Sequence, residues 1–138
     1  MTDVSRKQSF LTICKVKPER IFLMDALGAL LTSFFLCCIL AQLESYFGVP
    51  IQVIYVLSGI AGCLFVYSII GYLFSKTRWK SFLIILIICN ISHLVVSLAM
   101  IVLHSEKLTA PGYTYFILEC IVIIIVVAIE CKLLVSQK

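Results

Sequence analysis

Charged residues are scarce in this sequence. Asp, Glu, Lys and Arg make up 13% of its 138 residues, about half the share usual in a soluble domain. Hydrophobic residues reach 62%, and the mean hydropathy is +1.15. That balance excludes an ordinary soluble domain and places the chain in a membrane. Its length allows four spans of about 20 residues with short loops, and leaves no room for a separate soluble domain. Alternating apolar and polar residues are missing too, which excludes a membrane β-barrel, and no internal repeat stands out. Also missing are a Cys-x-x-Cys pair, a glycine-rich phosphate loop, a metal-ligand cluster and a nucleophile–base–acid set. The chain is therefore read as a non-enzyme without cofactor or metal.

Four apolar runs are present, and they predict an all-α membrane protein with four transmembrane helices in an up-down-up-down bundle. The spans are read at about 21–43, 51–74, 81–104 and 112–132, behind a basic arm over residues 1–20. The arm carries Arg6, Lys7, Lys15, Lys17 and Arg20 and is too polar for the apolar core of a signal peptide. Phe10, Leu11, Ile13 and Cys14 would suit a short amphipathic helix on the membrane surface.

Ten of the eleven Lys and Arg flank one side of these runs, with only Lys107 on the other. By the positive-inside bias both termini are expected in the cytoplasm. The formal charge of +4 is thus an orientation signal and not a nucleic-acid footprint. Lipid is the expected partner. A second copy, a membrane partner protein, and a small ligand or ion all stay open.

Five of the seven cysteines (Cys37, Cys38, Cys63, Cys89 and Cys120) lie within the runs, and Cys14 and Cys131 lie near run ends. They are read as small apolar packing residues. The stretch Ser58-Gly-Ile-Ala-Gly-Cys63 and the face Asp25, Gly28, Ala29, Thr32 are expected to let helices approach closely. Tyr55 and Tyr67 carry hydroxyls that need partners wherever they are buried.

Polar residues inside the runs are the candidates for function. Glu119 has seven uncharged residues before it, from Gly112, and ten after it. In hydrocarbon it must be protonated, paired, or turned to a protein-lined cavity. Asn90, His93, Ser97, Met100 and His104 recur at steps of three and four, so they share one helix face. Counting from the outer run ends puts Glu119 roughly 10 Å deep, level with Ser97, Ser58 and the Cys37-Cys38 pair. Asn90 and Tyr67 share a deeper level.

The expected polar seam is therefore Glu119, Ser97, His93, Asn90, Ser58, Tyr67, Tyr115 and Asp25. In it, Glu119 donates to Ser97 or accepts from Tyr115. For Asp25 the simpler account is a first-turn carboxylate that favours the helix dipole and reaches interfacial water. For Glu130 it is a solvated ion pair with Lys132. His93 and His104 stand about 16 Å apart on one helix and cannot share a metal.

Two readings of the seam remain. One is a small transporter, channel or ligand-binding module centred on a protonatable Glu119. The other is a non-catalytic partner or scaffold subunit whose polar groups only lock the bundle. The stretches Met24-Asp-Ala-Leu-Gly-Ala-Leu-Leu, Val66-Tyr-Ser, Leu108-Thr and Tyr115-Phe-Ile-Leu-Glu119 resemble a group of small bacterial four-span membrane proteins. That resemblance implies a bacterial inner membrane and supplies no activity.

Overall fold

The computed structural model describes residues 17–136, and among them it is helical without a strand. The amphipathic reading of Phe10, Leu11, Ile13 and Cys14 falls outside the described residues.

Helix α1 runs from Pro18 to Phe34. Proline at the start costs nothing, because its missing N–H would be unpaired there anyway, and Glu19 suits the positive end of the helix dipole. The helix thus begins before Ile21, where the hydrophobic run starts. It continues as a π-helical turn over Phe35–Leu40, in which the N–H of Ala41 bonds to the carbonyl of Leu36 at 3.1 Å. One residue more per turn rotates the following face. A short helix α2, Glu44–Phe47, ends at Gly48, whose φ of 72° is the left-handed conformation that glycine adopts without strain.

Helix α3 spans Ile51–Leu73 and α4 spans Ser75–Leu103, with Phe74 alone between them. The basic stretch at Lys76–Lys80 is helical rather than a loop, and the break comes inside it at Arg78 (φ −137°, ψ 35°). Helix α5 spans Ala110–Ser136.

Three segments are long and apolar enough to cross a membrane: Pro18–Leu40, Ile51–Leu73 and Ser75–Leu103. The distribution of side chains agrees. Leu27 is 53% exposed and Leu31, Phe34, Val56, Val66, Ile88 and Val95 are exposed, while Asp25, Asn90, His93, Glu119 and Glu130 are buried. A water-soluble bundle would be arranged the other way round. The surface suits lipid.

Each long helix packs along its successor, α1 on α3, α3 on α4 and α4 on α5, whereas α1 meets α4 and α5 at only a few positions. Two apolar clusters hold the bundle. One gathers Ile21, Phe22, Leu64, Leu83, Leu86, Ile87 and Leu133. The other gathers Leu36, Leu40, Val49, Ile54, Leu57, Leu108 and Phe116. The buried polar groups occupy the middle.

The small residues act unevenly: Ser58 bonds Ser33 across the α1–α3 contact, and a methyl group on Gly62 would stand 3.8 Å from the Ser33 hydroxyl. A methyl group on Gly28 or Gly59 would meet nothing within 4 Å. The close approach is at Gly71, where the added carbon would lie 2.6 Å from the ring of Phe22.

The two loops between α1 and α3 and between α4 and α5 are tied together. Thr109 donates from its backbone N–H to the carbonyl of Phe47 (3.2 Å) and from its hydroxyl to that of Tyr46 (2.6 Å). Gly48 lies against the carbonyl of Lys107, and Gly112 against that of Phe47, with no room for a side chain at either.

Candidate functional site

Four helices each send a polar side chain into one cluster. Asp25 of α1 accepts from the hydroxyl of Ser68 on α3. It also accepts from Nδ2 of Asn90 on α4 at 2.9 Å. The same amide nitrogen lies 3.4 Å from both carboxylate oxygens of Glu130 on α5. Glu130 is wholly buried and Asp25 is 6% exposed.

Both differ from expectation, and helix length is the reason. Because α1 starts at Pro18, Asp25 stands about two turns inside it. Because α5 continues to Ser136, Glu130 stands well before its end and is wholly buried. Asp25 therefore bonds to Ser68 and Asn90 and not to interfacial water. Glu130 bonds to Asn90 and is not a solvated ion pair.

The second group lies between α4 and α5. Nε2 of His93 is 3.2 Å from Oε1 of Glu119, and the two side chains are nearly inaccessible. Glu119 thus has His93 as its partner, in place of the Ser97 or Tyr115 expected from counting residues. Tyr115 instead stands edge-on to Phe116, ring centres 5.4 Å apart. Three atoms here lack any hydrogen-bond partner: Nδ1 of His93, Oγ of Ser97 and Oε2 of Glu119. Unsatisfied buried polar atoms cost about 1–3 kcal/mol each.

A cavity of about 50 Å³ separates the two groups. Asp25, Asn90 and His93 line it with the small residues Gly28, Ala29, Thr32 and Ala61. This is large enough for a few water molecules. His93 also borders a wider groove between α3 and α4, formed with Cys63, Tyr67, Cys89 and Ser92.

The remaining seam residues do other work. Ser58 is paired with Ser33 by reciprocal bonds from hydroxyl to carbonyl, each 3.2 Å, and so joins α1 to α3. The hydroxyl of Tyr67 donates to the carbonyl of Phe82 at 3.3 Å. Cys37 and Cys38 are exposed and outside the seam. His104 stays with its own helix, Nδ1 at 3.2 Å from the carbonyl of Met100. Among the described residues no three His, Cys, Asp or Glu gather as a metal site.

Ser68 escaped the sequence reading, although a signal was present. Ser58, Ala61, Ser68 and Gly71 are spaced by three, seven and three residues and share one face of α3. Glu130 sits eleven residues past Glu119, just over three full turns, which also placed it on the inner face.

No protein-family model, curated protein or solved structure matches the chain.

Proposed function

We propose that this is a four-span integral membrane protein, with both termini cytoplasmic, that moves or binds a small ligand or ion through Glu119. Three segments are apolar enough to span. Support for α5 as the fourth comes from its 27-residue length and its exposed Ile117, Leu118, Ile121, Ile124 and Ile125. The one-sided distribution of Lys and Arg supports the orientation. The resemblance quoted above supports a bacterial inner membrane.

One observation carries the functional part: His93, Ser97 and Glu119 are each buried with a polar atom left unpaired. Polar groups that serve only to hold helices together pair with one another, because an orphan in hydrocarbon costs more than it contributes. The Ser33–Ser58 bonds and the Asn90 bridge show that pairing elsewhere in this bundle. The atoms around Glu119 do not follow it, and suit a site that receives water, an ion or a polar ligand.

Glu119→Gln keeps the shape and a hydrogen bond to His93 while removing the ionisable group. Glu119→Leu removes both. The expected result is normal thermal stability in detergent for the Gln variant, with loss of proton-gradient-driven uptake in vesicles between pH 5 and 8. The Leu variant should be less stable than the Gln variant. A Gln variant that behaves as wild type in uptake and binding would support the scaffold role instead.

A further inference from the structure

A pair of acids lies outside the Glu119 group. Asp25 and Glu130 come from α1 and α5 and face one amide nitrogen, that of Asn90. Among the described residues the groups that bond them, a hydroxyl and an amide, are neutral. Two ionised carboxylates so placed and so buried would repel each other without compensation, and such pairs take up a shared positive charge.

A second observation points the same way. His93 is 2% exposed, has an unpartnered Nδ1, and lines the cavity that Asp25 and Asn90 also line. Of the titratable groups on the packed helices, only Asp25 and His93 are among the residues that line it; those nearest in sequence or level include Tyr67 on α3, Cys89 on α4, and Glu119, Cys131 and Lys132 on α5. Tyr67 donates to Phe82, Glu119 holds His93, and Lys132 is exposed. None of the three lines this cavity, and Glu130 meets it only through Asn90, which bonds Glu130 and lines the cavity.

We propose that Asp25 and Glu130 together hold one exchangeable monovalent cation between α1 and α5. It is either a proton shared by the two carboxyl groups, or a Na+ ion ligated by their oxygens and by water taken from the cavity. The cavity has room for that water. Among the described residues, three histidine, cysteine or acidic ligands, as a divalent metal would want, are not gathered here. The site rests on the reading of the chain as a membrane protein with a polar interior, and does not require that Glu119 transports anything.

The test uses full-length protein purified in detergent. Infrared difference spectra between acidic and alkaline buffer read the carbonyl stretch of a protonated carboxyl group. Thermal unfolding is followed in parallel in NaCl and in choline chloride. A shared proton predicts a carboxyl band that titrates with pH, is insensitive to Na+, and is lost in both Asp25→Asn and Glu130→Gln. A Na+ site predicts a midpoint that rises with NaCl and not with choline chloride, again only when both acids are present.

Absence of both signals in the wild-type protein would overturn the site. So would signals that persist in both variants and disappear in Glu119→Gln, since these belong to the other group. The wild-type spectra need no substitution, so an unstable variant does not block the test. A wild-type protein without uptake activity, or a Glu119→Gln variant with unchanged uptake, would count against the proposed function and, with these signals intact, leave this site standing.

Discussion

Ser97 tests most simply what the unpaired atoms are for. Its hydroxyl is wholly buried and bonds to nothing. Removing an unsatisfied hydroxyl relieves a desolvation cost, so Ser97→Ala should leave stability unchanged or raise it by about 1 kcal/mol. If the hydroxyl serves ligand or ion passage, uptake should fall in the same variant. Thermal midpoint and vesicle uptake, measured on one preparation, separate the two effects. Asn90 provides the contrast, since it bonds to acids from two other helices. The face that carries Asn90, His93 and Ser97 was legible in sequence because helical period alone decides it. Their partners were not. Depth counted from the ends of hydrophobic runs errs by a turn or more when a helix starts at a polar residue such as Pro18 or runs on to Ser136. That error made Asp25 and Glu130 interfacial residues, whereas both are buried. The match of Glu119 to Ser97 instead of His93 has another cause, since the outer ends of α4 and α5 lie close to where they were counted from: counting levels takes no account of the offset between two packed helices.

Among the elements, α1 and α3 form the most extensive pairing, and within it Gly71 stands directly against Phe22. Gly71→Ala would drive a carbon to 2.6 Å from the ring of Phe22, which is fully buried. A loss of about 1–3 kcal/mol is expected. Gly28→Ala on the facing helix meets nothing within 4 Å and should be tolerated. Comparing the two unfolding midpoints checks the packing directly. The four long helices were readable from composition, because a run of about 20 apolar residues has few alternatives. The π-helical turn at Phe35–Leu40 and the break at Arg78 were not, since both depend on how neighbouring helices settle. The small residues were visible too, but whether a glycine permits contact or leaves a void depends on what stands opposite. Gly28 faces a cavity and Gly71 faces Phe22.

For the whole molecule, orientation in the membrane is the property to measure first. In a background without native cysteines, cysteines introduced at Ser45 and Ser105 should react with an impermeant thiol reagent added outside intact cells. One introduced at Ser5 should not. The opposite pattern would reverse the orientation while leaving the internal geometry untouched.

The bond between the two loops has a mechanical meaning. Thr109 is anchored to Tyr46 and Phe47 by two hydrogen bonds, and Gly48 and Gly112 press backbone against backbone beside it. At the other end, α3 and α4 are joined through Phe74 alone. The start of α1 and the end of α5, which carry Asp25 and Glu130, have no such loop between them. They are held by Ile21, Phe22 and Leu133 in one buried cluster and by the bonds of Ser68 and Asn90. One end of the bundle is thus fastened by backbone, the other by side chains alone.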